Sequence, residues 1–318
     1  MKAIVQHRYG PPGVLRLEDI EKPPVGDDQV LLRVRGSSVN AVDWHLMRGL
    51  PYFIRLSGGL RRPKGGTPGV DAAGVVEAVG KDVTHVSPGD EVFGARNGAF
   101  AEYVSGRTFV PKPTNLRFEQ AAAVPVAGCT ALQALRDKGG LRPGRRVLVN
   151  GAGGGVGTFV VQIAKALGAE VTAVTSTGNL ELVRSIGADH VIDYTRDDFT
   201  NAGQRYDLII DVGGTPSLSA CRRALAPDGT LVLVGAGQGF GGPLPRMLAG
   251  LVRSRILKQR VVAFIAQVNK EDLLVLKELI EAGKVTPIIG RTYPLSETAE
   301  AIRHLETGHA RGKVVITV

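Results

Sequence analysis

RVLVNGAGGGVG, residues 146–157, is the stretch of sequence that decides the fold, and TFVVQIAKALGA follows it at residues 158–169. An apolar strand runs into a glycine-rich turn and then into an amphipathic helix, the order typical of a dinucleotide-binding fold. Glycines let the backbone approach a pyrophosphate, and the free N–H groups of the helix N-terminus attract it. Ala152 replaces the usual first glycine, and a purely structural turn is the alternative interpretation. The predicted cofactor contacts here are Ala152, Gly153, Gly154, Gly155, Val156 and Gly157.

The end of the next strand indicates which nicotinamide cofactor is bound. A site for NAD normally has Asp or Glu there, about 20 residues further on, to accept from the ribose 2′-hydroxyl. This sequence has Ser176, Thr177 and Asn179, which leave room for a 2′-phosphate and include no acid to repel it. No Lys or Arg lies in that loop, although Arg184 follows on the predicted helix. We therefore expect NADPH to be preferred over NADH.

Outward from this stretch, the spacing of apolar residues divides the chain. Residues 1 to about 120 carry short β-branched runs bounded by Gly, Pro and Asp turns, which predicts a barrel-like domain. From about Glu119, helices alternate with continuous apolar strands, which is typical of a parallel sheet covered on both faces. We predict strands at 146–150, 170–175, 190–192, 207–211, 230–234 and 261–265. We predict helices at 156–167, 179–186, 218–225, 270–282 and 296–307, before a β-rich end at 313–318 that returns to the first domain.

Composition limits the class of protein. The 318 residues are 43% hydrophobic and 22% charged, as in ordinary soluble proteins of two domains. No apolar run approaches the roughly 20 residues of a membrane span, and the first eight residues read as a strand, so we expect a cytoplasmic protein. The two cysteines, Cys129 and Cys221, cannot form a disulfide framework or a four-cysteine zinc site.

The net charge of +9 raises nucleic acid or an anionic membrane as a partner, but the charge is mostly scattered. The densest cluster is Arg55, Arg61, Arg62 and Lys64. No basic helix or aromatic-interleaved motif accompanies it, which argues against a nucleic-acid site. We interpret it as a solvated loop, with contact to an anionic cofactor or substrate as the alternative.

Three motifs carry a resemblance to a known family: AAAVPVAGCTALQAL at 121–135, GGVG at 154–157 and GADHVIDY at 187–194. With them the chain resembles the medium-chain dehydrogenase/reductase superfamily, in its zinc-independent, quinone oxidoreductase-like branch, and the likeness extends from Met1 to GKVV at 312–315. It implies an α/β fold with a Rossmann doubly wound parallel sheet inserted into a GroES-like β-barrel catalytic domain. The implied bounds are 1–120 for the first part of the catalytic domain, 121–268 for the Rossmann NADP-binding domain and 269–318 for the C-terminal return.

The resemblance also implies where the cofactor lies. The active site would occupy the cleft between the domains, with the nicotinamide beside Asn40 and Thr130. Tyr194 would stand near the adenosine phosphate, for which a strand-edge aromatic is the alternative. The other implied cofactor contacts are Gly235, Arg311, Gly312 and Lys313, of which the last three would close over the cofactor.

Metal-dependent members of the superfamily hold a catalytic zinc with a Cys and a His of the first domain. Asn40 occupies the corresponding Cys position and Val70 the His position. An isopropyl group cannot ligate a metal, and an amide is a poor ligand for zinc. No other Cys and His pair has ligand spacing, so we expect no metal and no flavin.

Without a metal, reduction of an electron-poor acceptor is the favoured chemistry, because it needs positioning and a stabilised oxygen more than a Lewis acid. The candidate catalytic residues are Asn40 as a hydrogen-bond donor, Asp43 as the organiser of its loop, and Tyr52 as a polarising or proton-delivering hydroxyl. An apolar lid segment is the favoured interpretation of the residues around Tyr52. His45 is interpreted as a packing or surface residue.

The predicted function is hydride transfer from NADPH to a quinone or an α,β-unsaturated carbonyl compound. The alternatives are a trans-acting enoyl reductase, a zinc-free alcohol dehydrogenase, and a low-turnover NADPH-binding protein with a structural or RNA-binding role. We also predict a homodimer through the apolar, β-branched strand at 261–265, which would lie at the edge of the sheet. That strand could instead be covered by the chain's own helices.

Overall fold

The computed structural model describes residues 1–201, 203–214, 216–234, 258–308 and 310–318. The chain forms two compact units. The first unit comprises residues 1–129, 268–281 and 287–318, and the second comprises residues 130–267 and 282–286. The chain therefore passes from one unit to the other four times, after residues 129, 267, 281 and 286.

The second unit is built on a six-stranded parallel sheet. In chain order its strands are β8 (Arg146–Asn150), β9 (Glu170–Thr175), β10 (His190–Asp193), β11 (Tyr206–Asp211), β12 (Leu225–Val234) and β13 (Arg260–Phe264). They lie in the order β10-β9-β8-β11-β12-β13, so the connection reverses direction at β8. This is the strand order of a doubly wound dinucleotide-binding sheet. Its strands are continuous apolar runs, as is typical of a parallel sheet buried on both faces.

Helices of the second unit precede or connect these strands. They are α4 (Pro125–Gln133), which starts in the first unit, and α5 (Gly155–Ala166), α6 (Leu180–Ser185) and α7 (Leu218–Arg223). Residues 158–164 of α5 are all buried, so this part of the helix is enclosed on every side, as its mostly apolar sequence allows. Leu148, Val174, Phe199, Tyr206 and Ile209 form part of the apolar core of this unit.

The short segment 282–286 also belongs to the second unit. The Gln162 side chain on α5 donates from Nε2 to the Thr286 carbonyl oxygen at 3.0 Å, and its Oε1 accepts from the Thr286 N–H at 2.8 Å. Val285 beside it is buried. A two-way amide contact thus ties residues far apart in sequence into one unit.

The first unit contains a seven-stranded sheet with the order β14-β15-β3-β4-β5-β7 and with β6 paired to β3, and a separate β1–β2 hairpin. Its strands are β1 (Lys2–Gln6), β2 (Leu15–Asp19), β3 (Val30–Val39), β4 (Asp71–Val79), β5 (Glu91–Ala95), β6 (Tyr103–Gly106), β7 (Phe109–Pro111), β14 (Ile289–Pro294) and β15 (Lys313–Thr317). Because β15 pairs antiparallel with β3, the end of the chain lies in the same sheet as its beginning.

Helices of the first unit are α1 (Ala41–Arg48), α2 (Ile54–Gly58), α3 (Phe118–Ala122), α8 (Lys270–Glu281) and α9 (Thr298–Glu306). Met47, Phe100, Ile302 and Ile316 pack in one of its apolar cores. In the part of the chain that the structure describes, no helix is long and apolar enough to cross a membrane.

The predicted fold class matches this architecture: an α/β chain in which a doubly wound parallel sheet is inserted into a β-rich first unit. The first unit includes residues up to Cys129, and the Val126 N–H at the start of α4 donates to Asp71 of β4 at 3.0 Å. One local prediction was wrong. Leu225, predicted to end a helix, begins β12 because it pairs with Tyr206 of β11.

Candidate functional site

The predicted cofactor turn lies between β8 and α5, where close packing requires glycine. A Cβ on Gly157 would clash with the carbonyl oxygen of Gly151. A Cβ on Gly153 would lie 2.7 Å from Asn179 Nδ2 and 2.8 Å from Thr175 Oγ1, which is too close for unbonded atoms. The turn and the loop after β9 are therefore in contact, so the structure brings these two predicted parts of the site together.

Gly154 is under a different constraint, and Gly155 is the first residue of α5. Gly154 precedes α5 in an extended conformation and has no side chain to cap the helix, and the first turn of α5 contains no acid. A Cβ on Gly154 would meet the protein only at 3.5 Å, an ordinary contact with the Gly151 carbonyl oxygen. An uncapped helix N-terminus carries partial positive charge and N–H groups that can bind phosphate. Ala152 is buried, with its N–H bonded to the Val174 carbonyl oxygen, and Val156 is half-buried in the first turn.

The loop after β9 contains the residues expected to contact the 2′ position of the cofactor's ribose. Thr177 Oγ1 donates to Asp193 Oδ2 at 2.6 Å, and Thr195 Oγ1 donates to Asp193 Oδ1 at 2.7 Å. These hydrogen bonds lower the pKa of Asp193. The hydroxyl hydrogen of Thr177 is thus directed to Asp193, whereas Ser176 receives only a long contact, 3.4 Å, from Asn179 Nδ2.

Asp193 is an acid beside this loop that the sequence analysis did not consider. Its carboxylate already accepts from two threonine hydroxyls, and Arg196 lies 3.8 Å away. Tyr194, the next residue, is 53% exposed, so its ring is available to a ligand. The GADHVIDY motif placed both residues at a strand end, which was the signal for this acid.

Thr130 and Gly235 are the other two cofactor contacts predicted in the second unit. Thr130 lies buried in α4. Gly235 falls outside the described residues.

A buried polar network in the first unit contains several of the other predicted residues. Its centre is Asp71, at the start of β4 and fully buried. Asp71 Oδ2 accepts from Ser38 Oγ at 2.6 Å and from Asn40 Nδ2 at 2.8 Å, and it lies 3.5 Å from Lys313 Nζ. Its other oxygen accepts from the Val126 N–H at 3.0 Å. One carboxylate thus joins β3, β4, β15 and the start of α4.

Lys313 is the cation of this network. Its side chain is 3% exposed, and Nζ donates to Asn40 Oδ1 at 2.6 Å and approaches the Val39 carbonyl oxygen at 3.4 Å. Burial lowers the pKa of Lys313, while Asp71 and Asp43 oppose that shift. Arg311 is exposed and Gly312 is buried, so these three consecutive residues have different environments.

Asn40 uses its whole amide within the protein. Nδ2 donates to Asp71 Oδ2 at 2.8 Å and to the Ser38 carbonyl oxygen at 3.3 Å, and Oδ1 accepts from Lys313. An amide has two N–H hydrogens, and both have partners. Asn40 therefore holds neighbouring groups, and it could donate to a substrate only by giving up one of these bonds.

Asp43 lies on the first turn of α1 and is 1% exposed. Its Oδ2 accepts from the Asn40 N–H at 2.7 Å, whereas Oδ1 is buried with no hydrogen-bond partner among the described residues. Burial raises the pKa of Asp43 to about 7, the nearby Asp71 adds to the rise, and the Asn40 hydrogen bond opposes it. Asp43 thus fixes the Asn40 loop while holding a carboxyl group that titrates near neutrality.

Tyr52 and His45 differ in their surroundings. Tyr52 is 70% exposed, and the Arg55 guanidinium lies 4.8 Å from its ring centre. Its hydroxyl makes no hydrogen bond to the described residues. His45 Nδ1 is 2.9 Å from the Leu50 carbonyl oxygen, its ring stacks on Trp44 at 3.7 Å, and burial lowers its pKa. These contacts make His45 a packing residue.

Asp71 is a second acid that the sequence analysis did not place in the site. It stands between Val70 and Ala72 at the start of an apolar strand, and an acid in such a run is a signal of a buried, hydrogen-bonded group. Within the described ranges, no group of three or more His, Cys, Asp and Glu side chains is arranged to hold a metal ion.

Two family profiles match the chain. The one described as "Alcohol dehydrogenase GroES-like domain" matches residues 26–157, and the one described as "Zinc-binding dehydrogenase" matches residues 186–316.

Individual proteins match along almost the whole chain. A 2-methylene-furan-3-one reductase of Solanum lycopersicum is 35% identical and covers 99% of this chain and 79% of its own length. An NADPH-dependent alkenal/one oxidoreductase of the Arabidopsis thaliana chloroplast is 34% identical with the same coverage. The solved quinone oxidoreductase from Coxiella burnetii is 33% identical and superposes with a TM-score of 0.88 over 100% of this chain and 99% of that one.

Proposed function

Because the chain belongs to the medium-chain dehydrogenase/reductase superfamily, in its quinone oxidoreductase-like branch, we propose that it transfers a hydride from NADPH to a quinone or an α,β-unsaturated carbonyl compound. The chain is an oxidoreductase that uses a nicotinamide cofactor, as its relatives do. The choice of acceptor and of NADPH is the proposal. For the acceptor, the observation that carries the proposal is the Lys313–Asn40–Asp71 network, because the resemblance aligns Asn40 with a metal ligand and its amide is instead hydrogen-bonded to Lys313 and Asp71.

The residues of the second unit fit a dinucleotide. The N–H groups at the start of α5 bind the pyrophosphate, and Gly154 keeps the approach open. Ser176, Asn179 and Tyr194 surround the 2′ position, with Arg196 as a nearby cation. Asp193 keeps its negative charge, because the hydrogen bonds from Thr177 and Thr195 lower its pKa, and Arg196 at 3.8 Å offsets part of that charge. When bound, NADPH supplies the hydride, and the protein supplies orientation.

A catalytic zinc does not fit the first unit. Val70 offers no donor atom, and the Asn40 oxygen that could ligate a metal already accepts from Lys313 at 2.6 Å. A divalent cation there would stand beside a buried ammonium and be repelled by it. The family's zinc chemistry therefore does not transfer to these residues, and no step depends on a metal.

Among the named side chains, Tyr52 is the one left for proton delivery or polarisation. Asn40 and Lys313 are hydrogen-bonded to each other. Asp43 is buried and accepts a hydrogen bond from the Asn40 N–H. An enolate or a quinol oxygen formed by hydride addition needs a proton, which an exposed phenol or water can deliver. Tyr52 lies on the exposed surface of the first unit and is our candidate for this role.

The decisive experiment follows NADPH oxidation with a panel of acceptors. The panel contains short-chain quinones, alkenals and alkenones, an enoyl thioester, and, in the reverse direction, simple alcohols with NADP⁺. We expect turnover with the quinones or the enones. Turnover confined to the thioester or to alcohols would replace the proposal with an alternative enzyme. RNA binding that weakens with salt, combined with no turnover on any acceptor, would indicate a binding protein.

We further propose a homodimer formed through β13. This strand ends the six-stranded sheet, its side chains from Val261 to Phe264 are half-buried, and the adjoining Ile265 is 88% exposed. An edge strand with uncovered apolar side chains is suited to pairing with a second copy.

A further inference from the structure

One segment of the first unit has an unusual charge distribution. From residue 44 to residue 70 the chain contains no Asp or Glu, and it contains five Arg and Lys residues. Two of them are held within the protein: Arg48 pairs with Glu306 at 2.6 Å, and the Arg55 guanidinium lies 4.5 Å from the Tyr9 ring centre. The other three are Arg61, Arg62 and Lys64, which are exposed and form no ion pair with any described carboxylate.

The same segment exposes large apolar side chains. Phe53 is 48% exposed, Leu56 is 74% exposed and Leu60 is 68% exposed. Single exposed apolar residues are common, but three within eight positions form a patch, and such patches mark interaction sites. We call residues 53–64 the apolar–basic loop. It joins a hydrophobic group and a positive group on one short piece of chain.

The chemistry of this loop selects its partner. Leu56 and Leu60 are aliphatic, so they neither stack on bases nor donate hydrogen bonds, and Phe53 is the only aromatic residue in the sequence 53–64. A second copy of the chain, related by two-fold symmetry, would bring three further positive charges against these three. The surface of an anionic phospholipid bilayer matches both parts of the loop. The leucines can enter the boundary of the acyl chains, and the basic groups can contact the headgroup phosphates.

We propose that the apolar–basic loop docks the protein onto a bilayer surface that contains anionic phospholipid. Phe53, Leu56 and Leu60 enter the interfacial region, and Arg61, Arg62 and Lys64 contact the headgroup phosphates. The attachment is peripheral and reversible. It does not depend on the proposed reaction.

The test is co-sedimentation of the full chain with vesicles of phosphatidylcholine, with and without phosphatidylserine. We expect binding to the mixed vesicles, little binding to phosphatidylcholine alone, and weaker binding as salt rises. The triple variant R61E/R62E/K64E should lower the partition coefficient by about a hundredfold or more, since each basic group near an anionic surface contributes about a fivefold factor. L56S/L60S should also lower it. Tyr52 is left unchanged.

Matched variants control for net charge and for total apolar surface. R117E/R142E/K284E changes the charge equally at exposed positions outside the loop, and L17S/L274S removes two exposed leucines elsewhere. We expect both controls to bind as the unmodified protein does. Equal loss in loop and control variants would overturn the proposal, as would the absence of binding to mixed vesicles. Loop-dependent binding of RNA, or of a second copy, without vesicle binding would overturn it too.

A second measurement needs no variant. Trypsin cleaves after exposed arginines, and Arg61 in the loop can be compared with the exposed Arg196 of the second unit. Mixed vesicles should slow cleavage after Arg61 at least severalfold and leave cleavage after Arg196 unchanged. Equal rates at Arg61 with and without vesicles would contradict docking through this loop.

Discussion

A buried side chain that has used all its hydrogen-bonding atoms holds its neighbours in place but has none left for a substrate. Asn40 is in that state, with its oxygen on Lys313 and its two hydrogens on Asp71 and Ser38. Asp43 is in the opposite state, because one carboxyl oxygen is buried without a partner. Ser176 is the third case, since its hydroxyl is only weakly engaged. These differences decide which single substitutions are informative.

Ser176→Asp should reduce the preference for NADPH. The new carboxylate would stand where the 2′-phosphate binds, and like charges about 4 Å apart near a protein surface repel by several kcal/mol. We expect the ratio of kcat/KM for NADPH to that for NADH to fall at least about tenfold. Ser185→Asp, at an exposed position on α6, adds the same charge and should leave the ratio unchanged. A higher kcat/KM with NADH in the unmodified protein would contradict the NADPH assignment.

The pKa of Asp43 predicts how stability depends on pH. Its pKa is about 7 in the folded protein and 3.8 when unperturbed, so the folded state binds the proton more tightly than the unfolded state does. The resulting stabilisation is complete below about pH 4 and is lost as pH rises towards about 7, by on the order of a few kcal/mol. Asp43→Asn cannot ionise, so urea unfolding between these pH values should show a shallower decline. Exposed Asp82→Asn serves as the control, and parallel curves for D43N and the unmodified protein would refute this interpretation.

At the scale of elements, the β8–turn–α5 unit and the edge strand β13 carry the function. The turn contains two kinds of glycine. Gly157 is needed for close packing of the backbone, and Gly154 leaves space in front of the helix N-terminus. Gly157 packs against the Gly151 carbonyl oxygen, whereas Gly154 has only an ordinary contact at 3.5 Å. β13 presents one side of its backbone to β12, and no described strand lies on its other side.

The two glycines should separate folding from cofactor binding. Gly157→Ala should lower Tm, because its Cβ clashes with backbone that cannot move freely. Gly154→Ala should leave Tm nearly unchanged and raise the Kd for NADPH by about tenfold or more, because its Cβ intrudes where the pyrophosphate approaches. Thermal unfolding and fluorescence titration measure the two effects. Gly13→Ala, in the first unit, whose Cβ would meet no atom within 4 Å, is the matched control. Unchanged NADPH affinity in G154A would remove the turn from the cofactor site.

The edge strand predicts the oligomeric state. Val262→Pro removes an N–H donor from β13 and should shift the protein from dimer to monomer. Ile265→Lys charges the 88% exposed side chain without touching the strand's backbone and should do the same. Leu17→Lys, on the first unit, should remain dimeric. Sedimentation at micromolar concentration measures the mass, and a monomeric unmodified protein would contradict the dimer.

At the scale of the whole molecule, local patterns were readable and long-range contacts were not. The strands at 146–150 and 170–175 were predicted with their observed bounds, because continuous apolar runs buried on both faces leave little ambiguity. The Lys313–Asp71 pair was not predicted. It exists because β15 and β4 both pair with β3, so residues 71 and 313 meet only after the chain has returned. No spacing in the sequence encodes that meeting.

Metal content is a property of the whole purified protein. We expect elemental analysis to find no stoichiometric zinc, and chelators to leave turnover unchanged. Val70 offers no ligand atom, and the side-chain oxygen of Asn40 already accepts a hydrogen bond from Lys313 Nζ. The measurement is plasma emission spectrometry on protein purified without chelators. About one zinc per chain, lost together with activity, would overturn the metal-free mechanism.

The two-way amide contact between Gln162 and Thr286 bears on how this protein can be recombined. A gene exchange that replaced only residues 130–267 would look like the transplant of a complete cofactor module. It would nevertheless leave behind residues 282–286, with buried Val285 and the partner of the Gln162 amide. Hybrids between relatives should therefore inherit the second unit as two separate pieces of sequence, and crossovers that separate them should produce chains that fold poorly.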